Sequence, residues 1–122
     1  MRVLIVSNLY PPHYLGGYEL RCAEVAAGLR RRGHQVEVVT SSYGIATNRL
    51  RTGRRRRDLV DGIPVHRALG QYAYGPQSIV PPWTLTQARR ELRDARRFTR
   101  VMDELKPDVV SWWSMNGLSK LV

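Results

Sequence analysis

The sequence is short of cysteine, with one, and of phenylalanine, with one, and its ten acidic residues face twenty basic ones. Each shortage excludes something. A single cysteine, Cys22, cannot build an internal disulfide framework, so a disulfide-stapled secreted scaffold is excluded and a cytoplasmic location is the expectation. No apolar run approaches the roughly 18–20 residues of a membrane span. The amino-terminal run in MRVLIVSN is about four residues, well short of a signal-peptide core of roughly 7–15. G-x-G-x-x-G and G-x-x-x-x-G-K-[ST] are both missing, which weakens nicotinamide and P-loop readings. No histidines, cysteines or carboxylates have metal-ligand spacing, so neither a metal nor a cofactor is expected. The shortage of acid leaves a net charge of +10, which predicts attraction to anions: nucleic acid, an acidic lipid surface or a phosphorylated small molecule.

What is present is enough for one domain. At 122 residues and 43% hydrophobic content the chain can bury a core but is too short for two domains. Val3–Val6 is a continuous apolar run, as in a strand covered on both faces. Tyr18–Arg32 reads as a helix with a stripe of Leu20, Ala23, Ala27 and Arg30, Val25 and Leu29 lying beside it. Gly33 stops it after three cations that suit the helix's negative end. Cys22 reads as a small packed thiol rather than a reactive one. Gln35–Thr40 is a β-branched strand, so residues 1–40 form a βαβ unit with its two strands parallel. Residues 41–62 read as a polar, basic excursion closed by Asp61-Gly62. Ile63–Ala68 is a third strand, which Pro64 suggests starts at an edge. Residues 70–83, with Tyr72, Tyr74 and Trp83, are irregular. Thr84–Leu105 is a long helix with Leu85, Ala88, Leu92, Ala95, Phe98, Met102 and Leu105 on one face. Its other face is rich in arginine, with pairs such as Arg90–Asp94 four residues apart. Val109–Trp113 is a fourth strand, Asn116-Gly117 a turn, and Leu118–Val122 the start of another helix. The fold class is therefore α/β, an open parallel-sheet Rossmann-like sandwich. With only four strands it reads as truncated, since sheets of this type usually have more.

The segment LYPPHYLGGYEL, residues 9–20, is longer than a strand-to-helix turn needs. It leaves the carboxyl end of the first strand, where ligands bind in open parallel sheets. It delivers Gly16-Gly17 to a helix start, whose unpaired amides favour an anion. Two readings stay open for the glycines: a backbone that needs positive φ, or close approach of a ligand.

The ordered series M-R-V-L-I-V-S-N, Y-P-P, L-G-G-Y-E and A-x-x-L-R-R-R-G-H-Q-V-E-V-V-T, followed by D-G-I-P-V-H-R and K-P-D-V-V, closely resembles the amino-terminal domain of GT-B glycosyltransferases of group 1, glycosyltransferase family 4. The resemblance runs along essentially all 122 residues and is most specific over 1–41. It implies two Rossmann-like domains around a cleft, of which residues 1–122 are part of the acceptor-side one; the donor-binding domain is absent from the chain. It implies that Gly16 and Gly17 bring backbone amides to the diphosphate of a nucleotide-sugar. Tyr10, His13, Tyr14, Glu19 and Trp113 are then candidate acceptor contacts. Glu19 reads equally as an acid favoured in a helix's first turn, and Trp113 as a sugar-stacking surface or as core. Relatives carry a histidine-containing loop where this chain has Ser111-Trp112-Trp113-Ser114. The family's histidine near the reaction centre and its glutamate pair would follow residue 122, so no catalytic residue is assigned within the chain, and the chain alone is expected to be inactive. The intact enzyme would pass sugar from a nucleotide-sugar to a hydroxyl acceptor with retention of configuration.

Arg49, Arg51 and Arg54–Arg57 are the densest charge. They read as a solvated loop, as a dock for an anionic membrane surface at Arg54, Arg55, Arg56 and Arg57, or, with less support because no reader motif accompanies them, as a nucleic-acid contact. Peripheral attachment at the inner face of the membrane would follow from the second. His34 reads as structural, and His66 has no assigned role. The rival class is a free-standing Rossmann- or flavodoxin-like module that binds an anionic ligand or nucleic acid.

Overall fold

The computed structural model describes residues 1–44, 49–50, 56–70, 85–115, 117–119 and 121–122. The elements run β1 (Arg2–Ser7), α1 (Gly17–Arg31), β2 (Gln35–Ser41), β3 (Tyr43–Gly44), β4 (Arg49–Leu50), β5 (Arg56–Val60), β6 (Ile63–Leu69), α2 (Leu85–Leu105) and β7 (Val109–Trp112). Five strands form one sheet in the order β5-β6-β2-β1-β7, and β3 and β4 form a small antiparallel ribbon. β1 lies parallel to both β2 and β7, and β2 parallel to β6. The expected βαβ unit is therefore present, as is the open α/β sandwich.

The apolar run of β1 is buried because both faces are covered. Alternation sends Val3 and Ile5 to one side, where they meet Cys22 and Ala26 of α1. It sends Leu4 and Val6 to the other, where they meet Val101 and Leu105 of α2. Each such side chain contributes roughly 1.5–3 kcal/mol on full burial. The cores on the two faces share β1, and likewise β2, whose Val38 lies in one and Val39 in the other.

Several expectations need correction. The buried face of α1 is Glu19, Cys22 and Ala26, whereas Leu20 and Val25 are exposed. Small side chains let the helix approach the sheet closely, so the stripe is rotated from the one that leucine suggested. In α2 only the carboxyl-terminal part of the apolar stripe is covered, and Leu85 and Leu92 are 68% and 51% exposed. Asp94, expected on the outer face, is buried because its carboxylate accepts the Gly70 N–H at 2.9 Å. Residues 56–62 belong to a hairpin rather than an excursion: β5 pairs antiparallel with β6 across Asp61-Gly62. Both turn residues have positive φ, 49° and 76°, the geometry that a two-residue hairpin prefers. The sheet is consequently mixed, and β6 lies inside it. Pro64 is tolerated there because it sits opposite Leu59, ahead of the parallel ladder that begins at Val65. At the end of the chain, the described residues 118, 119, 121 and 122 form no helix; Leu118 instead packs into the core on the α2 side.

Gly33 ends α1 as expected, with φ +88° and its N–H on the Arg30 carbonyl at 3.0 Å. His34 follows it, its Nδ1 3.4 Å from the amino terminus, a structural placement. Thr84, Asn116 and the aromatics Tyr72, Tyr74 and Trp83 lie outside the described residues. Among the described residues, no helix is long and apolar enough to cross a membrane.

Candidate functional site at the carboxyl edge of the sheet

Because β1, β2, β6 and β7 are parallel, their carboxyl ends share one edge. Backbone bonds sew that edge together: the Asn8 N–H donates to the Ser114 carbonyl at 2.8 Å, and the Ser41 N–H to the Asn8 carbonyl at 3.3 Å. The loop between Asn8 and Gly16 rises from this floor. It turns once on itself, where the His13 N–H donates to the Tyr10 carbonyl at 3.1 Å. From β6, Arg67 reaches beneath it. Its Nη1 donates to the Tyr10 carbonyl at 3.2 Å and its Nη2 to the Pro11 carbonyl at 2.7 Å, while Nε is held by Asp58 of β5 at 2.7 Å.

The loop ends at Gly16, the residue that caps α1. Its N–H donates to the Glu19 Oε2 at 3.0 Å. The following first-turn amides, from Gly17 on, have no acceptor within the helix and carry its positive end. Gly16 has φ −160°, an extended backbone open to any residue, and Gly17 is not among the positive-φ residues. A Cβ at either position would meet nothing within 4 Å. Neither backbone strain nor packing among the described residues therefore requires glycine here, which disposes of the positive-φ reading.

Around this point stand aromatics. Tyr18 at the start of α1 and Trp113 after β7 make an edge-on pair, centroids 5.4 Å apart and planes at 66°. Trp113 is half-buried and packs on the α1-side core, so part of it is core and part borders the edge. Tyr14 and Tyr18 are exposed. His13 is half-buried; burial, and then the cations of Arg67 and Arg56, hold its ring pKa below the ordinary value, favouring neutral imidazole.

Other expected residues are placed differently. Tyr10 is 1% exposed and its ring is part of the core; burial pushes its hydroxyl pKa well up. As placed, it offers no surface to an acceptor. Glu19 is buried with its carboxylate on the Gly16 amide, so it acts as a cap. Arg54 and Arg55 lie outside the described residues. Arg56 and Arg57 sit on β5 rather than in a loop, and each has a carboxylate: Asp58 at 2.6 Å and Glu37 at 3.6 Å. Cys22 is buried and its thiol pKa is pushed up to about 12, first by burial, as suits a packed and inert side chain.

Sequence reading left four residues unassigned that the structure pairs. Arg67 with Asp58 has been described; His66, buried, bonds through Nε2 to Glu37 at 2.5 Å. Glu37 and His66 line a cavity of about 300 Å³ together with Arg2, Gln35 and Leu105. That cavity lies toward the amino ends of β1 and β2, away from the loop edge and from the start of α1. The carboxyl edge remains the better candidate, because among the described residues only there do free helix amides, glycines with open space and exposed aromatics meet.

Residues 16–112 match the glycosyl transferase 4-like domain. The chain belongs to that family. The chain is 40% identical, over 45 residues, to an uncharacterized glycosyltransferase of Methanocaldococcus jannaschii; the match covers 37% of this chain and 12% of the relative. In fold it is similar to the catalytic domain of starch synthase IV from Arabidopsis thaliana, a structure bound to ADP and acarbose. The TM-score is 0.56 at 20% identity, over 91% of this chain and 27% of that one. The chain thus spans only a small part of the proteins it matches. The matched region begins at Gly16, the first residue of the candidate site's Gly-Gly pair.

Proposed function

We propose that residues 1–122 are the acceptor-side part of a two-domain glycosyltransferase, whose donor-binding domain lies outside them. The intact enzyme transfers a sugar from a nucleotide-sugar to a hydroxyl acceptor with retention of configuration, in the cytoplasm. The chain holds no catalytic residue of its own and is inactive alone. The observation that carries this reading is the Gly16-Gly17 pair: two glycines at a helix start that the fold itself does not need. A glycine without an internal reason is accounted for by a ligand that must come close to the backbone.

In this reading the acceptor oxygen attacks the anomeric carbon as the bond to the diphosphate breaks. The negative charge that develops on the departing diphosphate falls near the amides of Gly17 and Tyr18, which are already oriented and need no rearrangement to stabilise it. Trp113 and Tyr18 present ring edges and faces against which a sugar ring can pack, with Tyr14 and His13 at the border. Glu19 supports the site indirectly, by fixing Gly16. No step needs a metal or cofactor from these residues. The basic hairpin contributes less: Arg56 and Arg57 would have to exchange Asp58 and Glu37 for an anionic membrane surface, and nothing about them favours nucleic acid.

The test is calorimetric titration of the full-length protein with UDP-, GDP- and ADP-sugars, beside a Gly16→Val/Gly17→Val variant. Binding by the wild type that is lost in a variant of unchanged fold supports the reading. Absence of binding by both removes the nucleotide-sugar.

A further inference from the structure

We propose that Arg67 is a positioning residue: with Asp58 as its counter-ion, it sets the loop that carries Gly16-Gly17. The loop cannot hold itself. Pro11 and Pro12 have no N–H, so this stretch offers carbonyls and must find donors elsewhere. Among the described residues, the bonds on Tyr10–His13 are the single turn bond at His13 and those from Arg67, which serves the Tyr10 and Pro11 carbonyls together. Those two residues lie 57 and 56 positions from Arg67 in sequence.

The guanidinium suits the task because its donors leave in three fixed directions, and here Nε, Nη1 and Nη2 each have a different acceptor. A lysine has one nitrogen and could not span them. The side chain is only 5% exposed, and a buried cation without a partner is strongly unfavourable. Asp58 meets that need, and the hairpin explains how. Arg67 stands opposite Arg56 in the β5–β6 ladder, and Asp58 stands two residues along on the same face. Arg56 in turn donates to the other Asp58 oxygen. The β5–β6 hairpin thereby becomes a bracket for the loop. With all three of its nitrogens bonded to the loop and to Asp58, Arg67 is held in place beneath the loop.

The second readout below rests on the donor-phosphate reading of Gly16-Gly17; the first does not. Amide hydrogen exchange is followed in the full-length protein for residues 9–18 and, as reference, for β1 and β2, in wild type, Arg67→Lys and Arg67→Met. Each protein is also titrated with UDP, GDP and ADP. In Arg67→Met, exchange over 9–18 rises about tenfold or more, as befits lost charge-assisted bonds, while β1 and β2 keep their protection. Nucleoside diphosphate affinity falls by a similar factor. Arg67→Lys keeps the unfolding midpoint near that of wild type, yet shows part of both effects. Unchanged exchange over 9–18 in both variants overturns the proposal, as does a rise shared equally by β1 and β2. Should Arg67→Met fail to fold, the same criteria applied to Arg67→Lys decide. Wild type that binds none of the three nucleotides refutes the proposed function, while the exchange pattern still decides the role of Arg67.

Discussion

Two glycine turns in this chain look alike in sequence and differ in kind. At Asp61-Gly62 the reason for glycine is internal. Gly62 has φ +76°, and a Cβ there would lie 2.6 Å from the Arg30 guanidinium, whose Nη1 also donates to the Asp61 carbonyl. At Gly16-Gly17 neither reason exists: φ is ordinary and the space is open. The first turn is a demand of folding. The second, in the proposed function, is a demand of a ligand outside the chain. Residue type alone does not separate them, because both place glycine in a link between one element and the next.

The contrast can be broken by substitution, and the largest effect falls on ligand binding. Gly17→Val in the full-length protein is expected to weaken nucleotide-sugar binding by about a hundredfold, roughly 2.7 kcal/mol, measured by calorimetry. The melting temperature should stay within a few degrees of wild type. Weaker folding with intact binding would reverse the assignment of the two turns. Gly62→Ala comes next. A left-handed backbone costs a residue with a Cβ roughly 1–2 kcal/mol, so denaturant unfolding should lose about that much while binding is unchanged. Since the far end of Arg30 can move, the cost of its contact should be small beside the backbone term.

A smaller effect sharpens the comparison on the loop side. Glu19→Ala removes the carboxylate from the Gly16 amide, and should cost about 1 kcal/mol of stability, as capping losses do, with a parallel loss of loop protection in hydrogen exchange. Acid provides the smallest perturbation. Burial by itself would raise the Asp58 pKa, but hydrogen bonds from Arg67 and Arg56 outweigh it and hold the carboxyl below its ordinary value of 3.8. Its contribution is therefore full above that value and is lost as pH falls through the lower, folded value. Loop protection over 9–18 should decline below about pH 4, and Asp58→Asn should flatten that decline while leaving the Asp61-Gly62 turn unaffected.

Much of the scaffold was legible because its signals are local. A four-residue apolar run, a β-branched strand and Gly33 after three arginines are each enough to place an element and its end, and the order of elements dictates the parallel crossover. The hairpin was equally signalled by Asp61-Gly62, yet the run of arginines before it hid the strand, since a charged edge strand and a solvated loop have the same composition. The buried face of α1 was missed because Cys22 and Ala26 are small. Packing there is set by how near the helix comes to β1 and β2, a distance that no periodicity encodes.

At the site, the glycines and the family pattern around them could be read from the chain. Which aromatics face outward could not: Tyr10 and Tyr14 are four residues apart in one loop, and one is core while the other is exposed. The sequence by itself determined the βαβ frame, the end of its first helix and the presence of a Gly-Gly pair at a helix start, because those depend on neighbours within a few residues. Only the tertiary structure decided that the pair has no internal reason to be glycine. It alone also singled out Arg67, among the described arginines, as the one beneath the loop. The second depends on chain segments some fifty residues apart and the first on the space around a backbone, so that three-dimensional placement, burial and hydrogen-bond direction, rather than residue type, assign the roles.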